Sequence, residues 1–186
     1  MNQIKIFFHK QADNFKSAED LISAEFKYMG VEPLITRNED GGPKLNIPNY
    51  QISISNTDEL LVVAISDSYH LGIDVEMNNN AKDCLGIANR FFSKEEVSLI
   101  DQSETEADKI NLFLNFWTKK EAATKLHKQH LGDWLSFNFS RNTLEQSFLT
   151  KNISLPNLNG QCSIAFKPLV HIDNSLAPDI ILQTIG

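Results

Sequence analysis

Gly72-Ile73-Asp74-Val75-Glu76 sets two carboxylates two residues apart. On a strand, residues i and i+2 point to the same face, so Asp74 and Glu76 are held side by side. Like charges that close repel unless a cation sits between them. Oxygen ligands with no His or Cys among them suit magnesium. A solvated sheet edge carries the same Asp-x-Glu pattern, and the motif alone does not separate the two readings.

A second set of chemically capable residues lies in Trp117-Thr118-Lys119-Lys120-Glu121-Ala122-Ala123-Thr124-Lys125. Trp117, Glu121 and Lys125 fall at i, i+4 and i+8, on one helical face. Lys120 and Glu121 continue an apolar stripe begun by Phe113, Phe116 and Trp117. Charges on such a stripe are costly to bury unless they are paired or used. The plainer alternative is a Glu121–Lys125 surface pair, worth roughly 0.3–0.5 kcal/mol. A third set runs from Arg37 through Gly41, Gly42, Pro43 and Lys44 and resumes at Ser53-Ile54-Ser55-Asn56-Thr57. Its glycines let backbone N–H groups approach an anion closely. Arg37 and Lys44 bring charge, and Ser55 brings a hydroxyl donor. An ordinary surface turn uses the same residue types.

These residues need elements to hold them. Apolar side chains at Phe15, Ala18, Leu21, Ile22, Phe26 and Met29 have helical spacing, and Gly30 and Pro33 end that helix. Arg37 to Asn49, with two glycines and two prolines, reads as a structured loop. Tyr50–Ser55 alternates and Leu60–Ile65 is continuously apolar, which predicts two strands joined by the polar link 56–59. His70–Glu76 is a third strand, with Ile73 and Val75 on one side and Asp74 and Glu76 on the other. Asn78-Asn79-Asn80 reads as a loop. Ser93 and Glu96 form a capping-box pattern that starts a short helix. A long helix is expected over about Thr105–Lys128. Leu135–Phe139 and Cys162–Phe166 read as strands. Helices inserted among strands without strict alternation predict an α+β fold.

The chain has 186 residues, 41% hydrophobic and 22% charged, enough to bury a sizeable core. Its longest apolar run is six residues, Leu60–Ile65, where a membrane helix needs roughly 20. Lys5, His9 and Lys10 interrupt the first apolar stretch, so no signal-peptide core is expected. Cys84 and Cys162 are the only cysteines. They fit buried thiols in a reducing cytoplasm, and a structural zinc site is not expected. A net charge of −7 argues against nucleic acid as a partner, and any anionic substrate must meet a local basic cluster.

Taken together, Gly72–Glu76, then Arg90-Phe91-Phe92-Ser93 through Glu96, then Trp117–Lys125, resemble the signature blocks of one family. These are the 4′-phosphopantetheinyl transferases of the surfactin-synthetase-activating type, in the holo-acyl-carrier-protein synthase superfamily. Order and spacing match over roughly residues 37–126, and the Trp117–Lys125 block is the most specific. The Arg37 loop and Ser53–Thr57 resemble the family's upstream coenzyme A blocks. Two positions depart. Gly42 stands where the family usually carries a lysine, and Asn56 stands where it usually carries a histidine that meets the 3′-phosphate. Lys44 is the candidate to replace the lost charge, and Asn56 keeps a donor without a charge.

The resemblance implies an α+β fold of two pseudo-symmetric lobes, 1–68 and 69–186, each a small antiparallel sheet packed with helices. Coenzyme A is expected in the cleft between them. Asp74, Glu76 and Glu121 are the implied magnesium ligands. Glu121, Lys120 and Lys125 are the implied catalytic residues. Arg37, Gly41, Gly42, Pro43, Lys44, Ser55, Asn56, Asp74 and Lys125 are the implied coenzyme A contacts. The implied reaction moves phosphopantetheine onto a serine of an apo acyl or peptidyl carrier protein, which docks by Lys82, Arg90, Phe91, Phe92 and Lys94. A monomer in the cytoplasm is expected, with neither nucleic acid nor membrane as partner. Two alternatives are a non-catalytic coenzyme A or carrier-protein binding homologue, motivated by Gly42 and Asn56, and a metal-dependent phosphohydrolase built on the same carboxylates.

Overall fold

Strand β1 (Gln3–Lys10) is buried on both faces. Ile4, Ile6 and Phe8 enter one apolar cluster, while Phe7 enters another with Leu21, Ile22 and Phe26 of helix α1 (Ala18–Phe26). The computed structural model describes residues 2–11, 16–78, 83–141, 147–169 and 178–184. Within them β1 pairs antiparallel with β5 (Leu60–Ser66), which pairs antiparallel with β4 (Gln51–Asn56). The sheet order is β4-β5-β1-β9. Its last member, β9 (Asp179–Thr184), comes from the far end of the chain, well past the join expected near Ser68, and runs parallel to β1.

Ser17 caps α1 in a capping box with Asp20, and a 3-10 turn over Lys27–Met29 follows, closed by Gly30 at φ 66°. Phe15, where that helix was expected to begin, lies outside the described residues. The stretch read as a loop after Arg37 is instead a small antiparallel hairpin of β2 (Ile35–Arg37) and β3 (Pro43–Leu45). Gly41 and Gly42 occupy its turn and Pro43 opens β3, where a short hairpin tolerates them, and Pro48 lies past its end.

The second sheet has the order β6-β8-β7, from β6 (Tyr69–Met77), β8 (Gly160–Pro168) and β7 (Leu149–Asn152), all antiparallel. Alternate serines of β4 fasten it to the first sheet. Ser53 Oγ accepts from the Ile73 N–H at 2.9 Å, and Ser55 Oγ accepts from the Val75 N–H at 3.3 Å. Hydroxyls thus satisfy the β6 donors that face away from β8, in place of a backbone ladder. Met77 ends β6. Of the asparagine run that follows, Asn79 and Asn80 lie outside the described residues.

Helices α2 (Cys84–Phe91), α3 (Lys94–Asp101) and α4 (Glu106–His127) follow. Ser93 and Glu96 form the expected capping box on α3. Thr105 caps α4, which ends at Lys128 with φ 55°. A short helix α5 (Gly132–Leu135) comes next, and the strand expected over Leu135–Phe139 does not form. The architecture is α+β, with small sheets packed against helices. Among the described residues no helix is long and apolar enough to cross a membrane, and both cysteines are buried free thiols.

Helix α4 lies across β6 and β8, and one glycine sets how closely. A Cβ on Gly72 would stand 2.0 Å from the Ala122 carbonyl oxygen and 2.5 Å from the Leu126 nitrogen. Both are backbone atoms inside a helix and cannot swing aside. We expect Gly72→Ala to destabilise the protein by about 3 kcal/mol or more, the upper end for overpacking. The midpoint of denaturant unfolding, followed by circular dichroism, checks this. An unchanged midpoint would mean that α4 does not press on β6 as described.

Candidate active site

The close α4–β6 approach brings the two chemically suggestive segments together. Asp74 is 5% exposed. Its Oδ1 accepts from Ser55 Oγ at 2.9 Å and from Lys125 Nζ at 2.9 Å. Its Oδ2 is buried with no hydrogen-bond partner. Lys125 Nζ also reaches the Ile54 carbonyl at 3.4 Å. Glu76, on the same strand face, accepts from the Trp117 side chain. The Trp117–Glu121–Lys125 face therefore turns toward Asp74 and Glu76, as the i, i+4, i+8 spacing required.

Three carboxyls share this corner with one ammonium. Burial holds the Asp74 carboxyl above its usual range, against the pull of Lys125 and Ser55. Burial also raises Glu76, and the Asp74 charge adds to it, while Trp117 and Lys125 oppose. Glu121 is raised by burial and then by Asp74, with Lys125 opposing and Glu76 adding a smaller push. Among the described residues no three His, Cys, Asp or Glu side chains are drawn into a closed ligand set. The donor chemistry still fits a divalent cation: all-oxygen ligands, surplus negative charge and an orphaned buried Asp74 Oδ2.

Beside this corner a cleft of about 770 Å³ opens between the β2–β3 hairpin and the C-terminal end of α4. Arg37, Gly41, Gly42, Pro43 and Lys44 line one wall, and Lys125 lines the other. Arg37 Nη1 donates to the Gly41 carbonyl at 2.9 Å, which braces the turn. Arg37, Lys44, Lys125 and Lys128 line the cleft against one acid, Asp40, a local surplus of three positive charges (4 − 1) in a chain of net −7. The cleft suits an anionic ligand of several phosphates.

Sequence reasoning passed over Thr124, Lys128 and His70, which also line this space. Burial lowers the His70 pKa, and Lys167 and Lys128 lower it further. The helical period past Lys125 was the available signal for Lys128. For His70 it was the period of two, which puts it on the same strand face as Asp74 and Glu76. Ser55 and Asn56 do not line the cleft. Ser55 supports Asp74 from behind, and Asn56 is exposed at the end of β4.

Lys120 is not brought to the cluster. Adjacent helical residues differ by about 100°, so Lys120 turns away from Glu121, into the core. It is 0% exposed and bonds Glu96 at 2.9 and 3.0 Å and the Phe137 carbonyl at 2.6 Å. The expectation that it meets phosphate is corrected on that ground: no ligand surface reaches it. Phe92 is likewise core, stacked on Phe113 at 5.2 Å and on Trp117 at 6.4 Å. Phe91 is 39% exposed beneath the Arg90 guanidinium, 5.1 Å from its ring centre. Lys82 lies outside the described residues.

The profile of the 4′-phosphopantetheinyl transferase superfamily matches residues 70–167, from β6 through β8, more than half of the chain. The chain belongs to that superfamily. It is similar to the 4′-phosphopantetheinyl transferase ffp of Bacillus subtilis, 29% identical over 126 residues, which cover 64% of this chain and 54% of that protein. It is also similar to the 4′-phosphopantetheinyl transferase HetI of Nostoc sp., 32% identical over 105 residues, covering 53% and 44%. The chain therefore spans about half the length of these curated superfamily relatives. The matched stretch of the superfamily profile contains Asp74, Glu76, Glu121 and Lys125.

Proposed function

We propose that this chain transfers the 4′-phosphopantetheine moiety of coenzyme A to a serine of an apo acyl or peptidyl carrier protein, releasing 3′,5′-ADP. One observation carries the reading. Lys125 bonds Asp74 at 2.9 Å, its charge acts on Glu76 and Glu121, and it also lines the basic cleft. A reacting diphosphate at the cleft's end would thus lie beside a carboxylate able to accept a proton. The names of both relatives support the same chemistry.

In this reading 1–68 and 69–186 act as two lobes, the second lending β9 to the sheet of the first, and coenzyme A lies along the cleft with its adenosine end toward Arg37 and Lys44. Asp74, Glu76 and Glu121 would hold magnesium, whose charge when bound offsets that of the diphosphate. Glu121 accepts the proton of the carrier serine as its oxygen bonds to the β-phosphorus. The bond from that phosphorus to the departing 3′,5′-ADP breaks, and Lys125 neutralises charge on the phosphate oxygens. Ser55 holds Asp74 in place, and Trp117 does the same for Glu76. An acidic carrier would meet Arg90 and Lys94 around the exposed ring of Phe91. The chain is proposed to act as a cytoplasmic monomer, in keeping with its buried free thiols.

The test is incubation with coenzyme A, magnesium and candidate apo-carriers, read by intact mass. A gain of one phosphopantetheine arm, abolished by chelation, is expected. An unmodified carrier despite coenzyme A binding would favour a non-catalytic homologue. Release of free phosphopantetheine would favour a phosphohydrolase.

A further inference from the structure

His70 enters the cleft where a positive charge would have no counterion. It is half-buried at the start of the β6 face that carries Gly72 and Asp74. Its register partner on β8 is Lys167, and opposed residues share a face of the sheet. From α4, Lys125 and Lys128 line the same space, and from the hairpin wall Arg37 and Lys44 do. Asp40 is the acid of the cleft, and it is already engaged, 2.7 Å from Lys128 Nζ. Strand β4 brings no charged residue. Among the described residues His70 is in no ion pair. Burial, then Lys167 and Lys128, hold its pKa below the ordinary histidine value, so the ring rests neutral near pH 7.

An anionic ligand reverses that balance. It offsets the lysine charges that keep the imidazole neutral, and in a half-buried site the coupling is little weakened by water. Resting on the coenzyme reading above, we propose that the cleft takes up a proton from solvent when its diphosphate ligand binds, and that His70 is the group that accepts it. The sign follows from linkage. The bound state holds the proton at a higher pH than the free state, so affinity rises as pH falls through the bound-state value and levels off below the free-state one. The cleft is thus a pH-sensitive binding site that grips its ligand more tightly in mild acid. His130 also lines the cleft but is exposed, where water and salt screen the ligand's charge.

Two measurements test this. The first is calorimetric titration with 3′-dephospho-coenzyme A, which has no phosphate monoester to titrate in the same range. It is run in buffers of low and high ionisation enthalpy at about pH 6.5 and about pH 8, on wild type, His70→Asn and His130→Asn. Wild type and His130→Asn should take up about half a proton at the lower pH and almost none at the higher, with affinity about threefold tighter at the lower. His70→Asn should lose both the uptake and the pH dependence. Uptake that persists in His70→Asn, from the Asp74, Glu76 and Glu121 carboxyls or from His130, overturns the proposal. The second measurement follows the His70 ring by NMR in wild type, free and saturated with coenzyme A. It reports that one ring and needs no variant to fold. The His70 titration should move to higher pH on saturation, and an unmoved titration overturns the proposal while leaving the coenzyme reading intact. Wild type that binds neither ligand removes the coenzyme reading and the proposal together.

Discussion

Glu121→Gln is expected to cut carrier modification by about 10²–10⁴, the range for loss of a general base, while the folded protein becomes no less stable. The two halves of that result come from the same environment. Glu121 is raised above the usual carboxyl range by burial first and by Asp74 second, with Lys125 the opposing influence. A carboxyl whose folded pKa is raised is more costly to ionise in the native state than in the unfolded chain. Near neutral pH its charge therefore works against folding. Gln keeps the shape and removes the charge, so the unfolding midpoint without added divalent cation should hold or rise. A surface ion pair with Lys125 predicts the reverse: a loss of a few tenths of a kcal/mol and normal turnover. Single-turnover transfer and a denaturant melt on the same preparation separate the two. Near-normal transfer by folded Glu121→Gln would remove the residue from the chemistry. Lost transfer with a large loss of stability would make it structural.

The elements carrying this site were the ones most legible in the sequence, for a physical reason. Strand β6 presents Ile73 and Val75 to the core and Asp74 and Glu76 to α4, and a period of two survives wherever the two faces differ. The caps of α3 and α4 involve side chains within three residues, so they too are visible locally. Strand β1 was not legible, because Phe7 and Phe8 enter different clusters and burial on both faces erases the alternation. Strand β9 is fixed by pairing with residues at the other end of the chain, which no local pattern reports. The basic cleft was half visible. The Arg37–Lys44 wall could be read from its glycines and charges and His70 from the strand alternation, whereas Lys128 enters through a helix end.

Leu135–Phe139 shows the limit of periodicity most clearly, and the last large effect is expected from the same place. Its apolar–polar alternation is real, but its backbone bonds go elsewhere. The Phe137 carbonyl accepts from Lys120 Nζ at 2.6 Å, and the Phe139 N–H donates to Glu96 Oε1 at 3.0 Å. A buried ion pair has taken the place of a neighbouring strand. Glu96 also accepts from the Ser93 N–H at 3.1 Å, so one carboxylate caps α3, pins the 137–139 segment and neutralises Lys120. The rings of Phe92 and Phe139, 4.6 and 5.1 Å from the ammonium, enclose it. Removing one partner strands the other charge in that enclosure. Lys120→Met should therefore cost about 3–5 kcal/mol, the range for breaking a buried pair, enough to unfold many domains of this size. Lys120→Met combined with Glu96→Gln should recover part of that loss, because no uncompensated charge remains and the amide oxygen can still accept from Ser93 or Phe139. Denaturant melts of wild type, the single variants and the double variant give the coupling. If Lys120 instead served phosphate, Lys120→Met would melt like wild type and lose transfer alone.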